Sequence, residues 1–289
     1  MAAMEPTSRR LPGAHGLSLH ALEWSREGTL LLLLHGFGND AHVWDGCAPT
    51  FAPHYRVVAY DHRGHGRSDR DPEGRYDHES MALDVAAVMD ALGAARAVIV
   101  GHSLGGRVAM RFAGMHPERM AGLVIVDSAP ELDARGTTRI RLDVQQQDPT
   151  FASRGDYEKI LHRQYPATKP ELLNRLAGHW AHERPDGRWE LRLDPAFMRG
   201  RRGQSEEELR AWSENEAKLL WAALAKLPCP ALVVRGAASD VLSADVADKM
   251  ADDVIPNGKL EVVARAGHSV MLDNPEAFEK ALASFVLGD

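Results

Sequence analysis

At 289 residues, 44% hydrophobic and 26% charged, the chain is long enough to bury a substantial core, as one large domain or as a domain carrying an insertion. Its net charge of −7 argues against nucleic acid as a partner, because phosphates demand a basic face. The strongest apolar run, residues 30–34, is far too short to span a bilayer.

Residues 1–16 are polar, contain Pro and Gly, and lack the apolar core of a signal peptide; they are expected to form a flexible or loosely attached arm. Cys47 and Cys229 lie far apart without metal-ligand spacing, which points to a reducing compartment and a cytoplasmic location. Residues 17–23 alternate as a half-buried antiparallel strand should. Residues 30–34, 57–60, 97–100, 123–126, 231–234 and 260–263 are apolar runs, each followed by a loop bearing Gly or Asp. That is the pattern of strands buried on both faces of a parallel sheet. Helical stretches at residues 78–92, 105–116, 244–254 and 275–287 alternate with them. The predicted fold class is therefore α/β, with a mostly parallel open sheet and helices on both faces.

One interval breaks the alternation. From about residue 130 to residue 227 there is no buried-strand run, and helices are expected at 157–164, 171–180 and 206–224. Residues 189–194 alternate and predict a short extended piece. The division expected is a core formed by 1–129 and 228–289, with 130–227 inserted as a helical cap whose charge is close to neutral.

The chemistry-bearing stretch is Gly101-His102-Ser103-Leu104-Gly105, set between a β-prone run and a helix-like one. Strand, sharp turn and helix together make a nucleophile elbow, in which a strained Ser103 needs small residues two before and two after it. Ligands in open parallel sheets bind beyond the carboxyl ends of the strands. There, His35-Gly36-Phe37-Gly38 offers the backbone N–H of Phe37, which with that of Leu104 forms the candidate oxyanion hole. A serine hydroxyl needs a base, and His268 follows the last strand run on a Gly-containing turn. His102 is the weaker candidate, since neighbours on a tight turn point apart, while His35 and His62 are expected to brace loops. The imidazole needs a carboxylate. Asp240 follows the 231–234 run, and the order Ser103, Asp240, His268 suits this arrangement. Asp127, closing the 123–126 run, is the rival for the same role, whereas Asp245 and Asp273 read as helix-start or turn residues.

Across nearly its whole length the chain resembles the capped α/β-hydrolases, in their serine esterase and C–C hydrolase branch. The matching features are His35-Gly-Phe-Gly, Asp61-His-Arg-Gly-His-Gly-Arg-Ser68, Gly101-His-Ser-Leu-Gly105, the stretch from Gly236 to Asp240, and Gly267-His268. The resemblance implies that the 61–68 loop is structural, tying loops together near the pocket. Ser103 stands where dehalogenases and epoxide hydrolases carry an aspartate, which argues against both. The activity implied is hydrolysis of a small to medium carboxylic ester through an acyl-Ser103 intermediate, with a small-molecule substrate and neither metal nor organic cofactor. Lactones, C–C bonds of dienoic ketones, amides and perhydrolysis use the same machinery, so these stay open, as does a ligand receptor on the hydrolase scaffold. Trp180, Trp189, Phe197, Met198 and Trp212 are candidate pocket residues, with packing of cap on core as the alternative for each. Arg199, Arg201 and Arg202 form a basic cluster that reads first as a solvated turn.

Overall fold

The structure, a computed structural model, describes residues 5–136, 138–139, 150–199 and 205–288, with backbone alone at 198 and 199. Its strands are β1 (Thr7–Pro12), β2 (Ser18–Glu23), β3 (Leu30–Leu34), β4 (Arg56–Tyr60), β5 (Ala97–His102), β6 (Met120–Val126), β7 (Thr150–Phe151), β8 (Ala181–Glu183), β9 (Trp189–Leu191), β10 (Ala231–Gly236) and β11 (Gly258–Val263). Eight of them form one sheet in the order β1-β2-β4-β3-β5-β6-β10-β11. From β4 to β11 the neighbours are parallel, while β2 runs antiparallel to both β1 and β4. The five leucines of β3 are buried between β4 and β5, with Leu34 level with Tyr60 on one side and Gly101 on the other. Strands without polar positions can only be accommodated with both faces covered, and helices do this here. His78–Ala91 and Leu104–Met115 pack together on one face, and Pro275–Val286 buries Phe278 and Leu282 on the other. Among the described residues no helix is long and apolar enough to cross a membrane.

Four elements differ from their sequence reading, the three strands among them for a physical reason. The expected loose arm carries β1, paired with β2 over all six residues. An edge strand has a wet side, so its residues stay polar: Arg9 reaches Glu23 at 2.7 Å and Ser8 reaches His20 at 3.0 Å. β2 is not half-buried but almost wholly buried, because its polar positions are paired rather than solvated. His20 meets Asp61 at 2.9 Å, and although burial opposes it, hydrogen bonds from Arg9 and Arg56 hold the Glu23 carboxyl below its ordinary range. Conversely, β11 is the outermost strand and leaves Val262 48% exposed, so its apolar run does not mean burial on both faces. The helix expected at 244–254 is α-helical over Ala244–Asp248 and ends as a π-helical turn, Lys249–Val254.

Between β6 and β10, no strand of the large sheet lies among the described residues. Helices Arg154–Gln164, Pro170–Trp180 and Glu206–Ala225 and a small antiparallel sheet, β7-β9-β8, occupy this interval. The last helix opens with a capping box between Ser205 and Glu208, as its acidic start suggests. It lies against Leu104–Met115, where only glycine at 114 fits beside Ala223, and Glu216 accepts from buried His78 at 2.7 Å.

The loop after β4 is a polar keystone. Asp61 accepts the N–H groups of Ala41 and Arg67, both at 2.8 Å, besides the His20 ring. Arg63, fully buried, forks onto Asp84 at 2.6 and 2.8 Å and reaches Asp71 at 3.1 Å. Removing the guanidinium leaves the buried Asp84 carboxylate without its cation, while Asp71 keeps Arg75 at 2.9 Å, so Arg63→Ala should cost about 3–5 kcal/mol, and Arg63→Lys should recover little because it lacks the fork. Urea unfolding measures both; a loss below about 1 kcal/mol in the alanine variant would show that the loop holds without this pair.

Candidate active site

Ser103 closes β5 and begins the following helix with φ 51 and ψ −112, a conformation that L residues seldom adopt. The turn is so tight that a Cβ on Gly101 would lie 2.4 Å from the Gly105 carbonyl oxygen, and one on Gly105 would lie 2.4 Å from that of Leu34. Both glycines are therefore required by space, as the elbow reading anticipates. Ser103 N–H donates to the Val126 carbonyl at 3.0 Å, and Ser128 Oγ donates to the Ser103 carbonyl at 2.7 Å, fixing the turn against the end of β6.

Ser103 and His268 are brought together: the serine hydroxyl donates to Nε2 at 3.0 Å. The opposite nitrogen, Nδ1, donates to Asp127 Oδ2 at 2.8 Å. Asp240 does not take that place. Its carboxylate is gripped by the Arg139 guanidinium at 2.6 and 2.9 Å, a hydrogen-bonded ion pair that holds Asp240 below the usual carboxylate range. The expectation that Asp240 orients His268 is corrected accordingly. Asp127 follows β6 directly, takes a positive φ of 45, and is fully buried beneath the imidazole. Its Oδ1 accepts Gly236 N–H at 3.0 Å and its Oδ2 also accepts the Ser239 hydroxyl at 2.5 Å. Asp127 follows β6 directly, whereas Asp240 lies four residues beyond the end of β10 at the same sheet edge.

The other histidines divide by partner. His35 Nδ1 donates to the Gly36 carbonyl at 2.8 Å and Nε2 accepts His62 N–H at 2.9 Å, so it braces the loop as expected. The His62 ring does not: neither ring nitrogen has a partner among the described residues, and it packs against His35 and Tyr60 while burial pushes it down to about 3. His102 does not point away from the site. Its Nε2 donates to the His268 carbonyl at 2.9 Å, and burial reinforced by His268 lowers it to about 3, so it stays neutral. Asp273 accepts Gly267 N–H and the Thr168 hydroxyl, both at 2.9 Å, and so ties the His268 loop to the inserted segment.

The backbone N–H groups of Phe37 and Leu104 have no protein acceptor among the described residues, that of Leu104 because it opens a helix. A cavity of about 580 Å³ lies over Ser103 and His268. Of the aromatic residues proposed from the sequence, Trp180 lines it. Trp189 does not; it is half-buried on β9 against the core, and Phe197 sits behind the wall on Phe37, His65 and Tyr76. Trp212 stacks on His78 instead. Arg201 and Arg202 lie outside the described residues, as do the side chains of Met198 and Arg199. The sequence reading missed Tyr157, Leu161, Leu191 and Leu193 on the cavity wall, and Arg139 and Arg163 beside them. The helical or alternating placement of all but Arg139 was visible, but not which face turns inward.

Asp40, on the loop that carries Phe37, accepts His42 N–H at 3.0 Å and the Trp180 indole N–H at 3.2 Å. Burial, with Asp61 beside it, pushes its carboxyl up to about 7. Between about pH 4 and pH 7 the folded protein thus keeps a proton that the unfolded chain has released, and stability from this residue falls as pH rises through that window. Asp40→Asn keeps the accepting oxygen and has no charge to bury. Urea unfolding should find it more stable than the parent, with a margin that widens by about 1 kcal/mol or more between pH 4 and pH 7. A margin constant with pH would mean that Asp40 ionises normally.

A family model described as the alpha/beta hydrolase fold matches residues 29–275. The chain is 30% identical to a non-heme chloroperoxidase of Streptomyces lividans, covering 94% of this chain and 96% of that one. It is 27% identical to the 2-(acetamidomethylene)succinate hydrolase of Mesorhizobium japonicum, over 90% and 88%. The solved structure of an E-2-(acetamidomethylene)succinate hydrolase superposes with a TM-score of 0.84 at 26% identity, over 97% and 99% of the two chains. That of the M. tuberculosis esterase Rv0045c gives 0.77 at 25% identity, over 99% and 93%. With the matched segment running from the start of the parallel strands to the helix after His268, the chain belongs to the alpha/beta hydrolase fold family.

Proposed function

We propose that the protein is a serine hydrolase that cleaves small to medium carboxylic esters through an acyl-Ser103 intermediate. The observation that carries this reading is the continuous chain from Ser103 through His268 to Asp127, at 3.0 and 2.8 Å, opening on a cavity. A volume of about 580 Å³ suits a small ligand, and leucine and aromatic side chains form much of its wall. His268 takes the Ser103 proton as the hydroxyl attacks the ester carbonyl, and Asp127 stabilises the imidazolium. The N–H groups of Phe37 and Leu104 receive the oxyanion. Protonation of the leaving alkoxide by His268 releases the alcohol. Water then attacks the acyl-enzyme with His268 again as base, and the acid departs. The inserted segment acts as a cap that closes the cavity from above.

Turnover of p-nitrophenyl acetate tests the assignment. Ser103→Ala should abolish it, and Asp127→Asn should lower kcat on the order of 10⁴-fold by favouring the wrong imidazole tautomer. Asp240→Asn should cost far less; a reversal of the two aspartates would return the acid role to Asp240. Across p-nitrophenyl esters from acetate to palmitate, activity should fall off gradually at long chains, since an apolar wall discriminates by only about 1–3 kcal/mol per methylene. Peak activity on palmitate would contradict a closed cavity.

One observation favours a second substrate class. Arg163, on the cavity wall, has no ion-pair partner among the described residues, and Arg139 stands nearby on Asp240. Arg163 is exposed there, so a substrate carboxylate would exchange its water for a charge-assisted pair, and a succinate is named for the structural relative. A preference for hemisuccinate over neutral esters, lost in Arg163→Ala, would establish this class.

A further inference from the structure

The loop after β10 was expected to supply the acid. What it places beside His268 is the residue before Asp240. Ser239 is 8% exposed, and its hydroxyl donates to Asp127 Oδ2 at 2.5 Å, on the same oxygen that accepts from His268 Nδ1. A serine hydroxyl has one proton and two acceptor lone pairs. Both lone pairs are occupied here, by Val241 N–H at 3.1 Å and Leu242 N–H at 3.2 Å, so the proton's direction is set by the backbone. The turn itself is held on two sides. Arg235 Nε donates to the Leu242 carbonyl at 2.8 Å, with longer approaches to the Ala237 and Ser239 carbonyls. Ala238 N–H donates at 2.9 Å to the carbonyl of Ala266, two residues before His268.

From this arrangement we propose that Ser239 is a positioning residue for the hydrolytic relay, holding Asp127 through a hydroxyl that shares Oδ2 with His268. The inference rests on the Ser103–His268–Asp127 reading above. The hydrogen bond does two things. It keeps Oδ2 aimed at Nδ1 while the imidazole rocks between the serine and the leaving group. It also draws negative charge from Oδ2, which weakens the pull of Asp127 on the His268 proton. No covalent step involves Ser239; a proton moves only between Ser103, His268 and the departing or attacking oxygen.

The ionisable groups around this pair are Asp127, His102 (kept neutral), Asp240 with its partner Arg139, Asp273 on the Gly267 N–H, and Arg235 under the turn. Loss of the Ser239 proton leaves all of these in place and makes Asp127 alone the stronger base. The imidazolium is then favoured, so the acid limb of kcat/KM must move to higher pH. That displacement is one that general loosening of the loop would not produce.

The experiment compares Ser239→Ala, Ser239→Thr and Ser103→Ala in the p-nitrophenyl acetate assay, with thermal melts to verify folding. Ser239→Ala should lower kcat by about 10-fold or more with KM little changed, the scale of one charge-assisted hydrogen bond, and should shift the acid limb upward. Ser239→Thr, which keeps the hydroxyl, should restore both. Should the alanine variant unfold, Ser239→Cys fills the turn with a far weaker donor and reads the same limb. A wild-type kcat and pH profile in Ser239→Ala overturns the proposal, as does a loss of activity with no movement of the limb. If Ser103→Ala is itself fully active, the reading of the site fails instead.

Discussion

The positive-φ turn at Ser103 is the constraint around which the neighbouring structure is arranged. Such a conformation costs on the order of 1–3 kcal/mol and persists only where the surroundings leave the chain no alternative. Here they do so by contact. The Gly105 backbone lies against the Leu34 carbonyl, Gly101 lies against Gly105, and Gly36 approaches the His102 ring so closely that a Cβ would sit 2.6 Å from Nδ1. Three glycines thus let β3, β5 and the following helix converge on one point. The convergence aims the helix N-terminus at the reacting centre, where its unbonded N–H groups favour developing negative charge.

Around that point the loops are ordered by buried polar groups rather than by regular structure. Asp61 and Arg63 fix the loop after β4, His35 fixes the Phe37 loop, and Asp273 fixes the loop of His268. Burial lowers the affinity of His35, His62, His65 and His102 for a second proton. These imidazoles therefore pack, and those of His35, His65 and His102 hydrogen-bond, without adding cations beneath the site. Two bonds, Trp180 to Asp40 and Thr168 to Asp273, fasten the inserted segment to the loops on either side of the cavity. Closure over the site and order within it consequently share the same attachments.

What was legible in the sequence is what depends on neighbours along the chain. The apolar runs identify the parallel strands, and the spacing of Gly101, Ser103 and Gly105 identifies the elbow, because both are local requirements. His268 is legible as the residue after a glycine at the last strand's end. The orienting acid is not, since Asp127 and Asp240 present the same local signal and differ in what meets them across the fold. Arg139, about a hundred positions away in the chain, takes one, and His268 takes the other. Two of the three tryptophans fail for a related reason: size marks a side chain that packs, but Trp189 and Trp212 pack away from the cavity that Trp180 lines. A polar strand such as β1 looks like loose chain until its partner is known.

The hydrogen bond from His268 to Asp127, directly after β6, changes what the β10 loop contributes. Gly236 N–H and the Ser239 hydroxyl turn towards Asp127, so the loop surrounds the carboxylate instead of supplying it. Asp240 is left to face the cavity, where it binds a guanidinium from the inserted segment. That ion pair is well exposed, 44% for Arg139 and 35% for Asp240, and screening makes it worth little to stability. Its larger effect is on the field inside the cavity. Neutralising Arg139 leaves Arg163 as the cation on the cavity wall with no ion-pair partner among the described residues. The proposed relay and this ion pair are therefore separated in space yet linked through one loop, residues 236–240, whose Ser239 turns to Asp127 and whose Asp240 turns to Arg139.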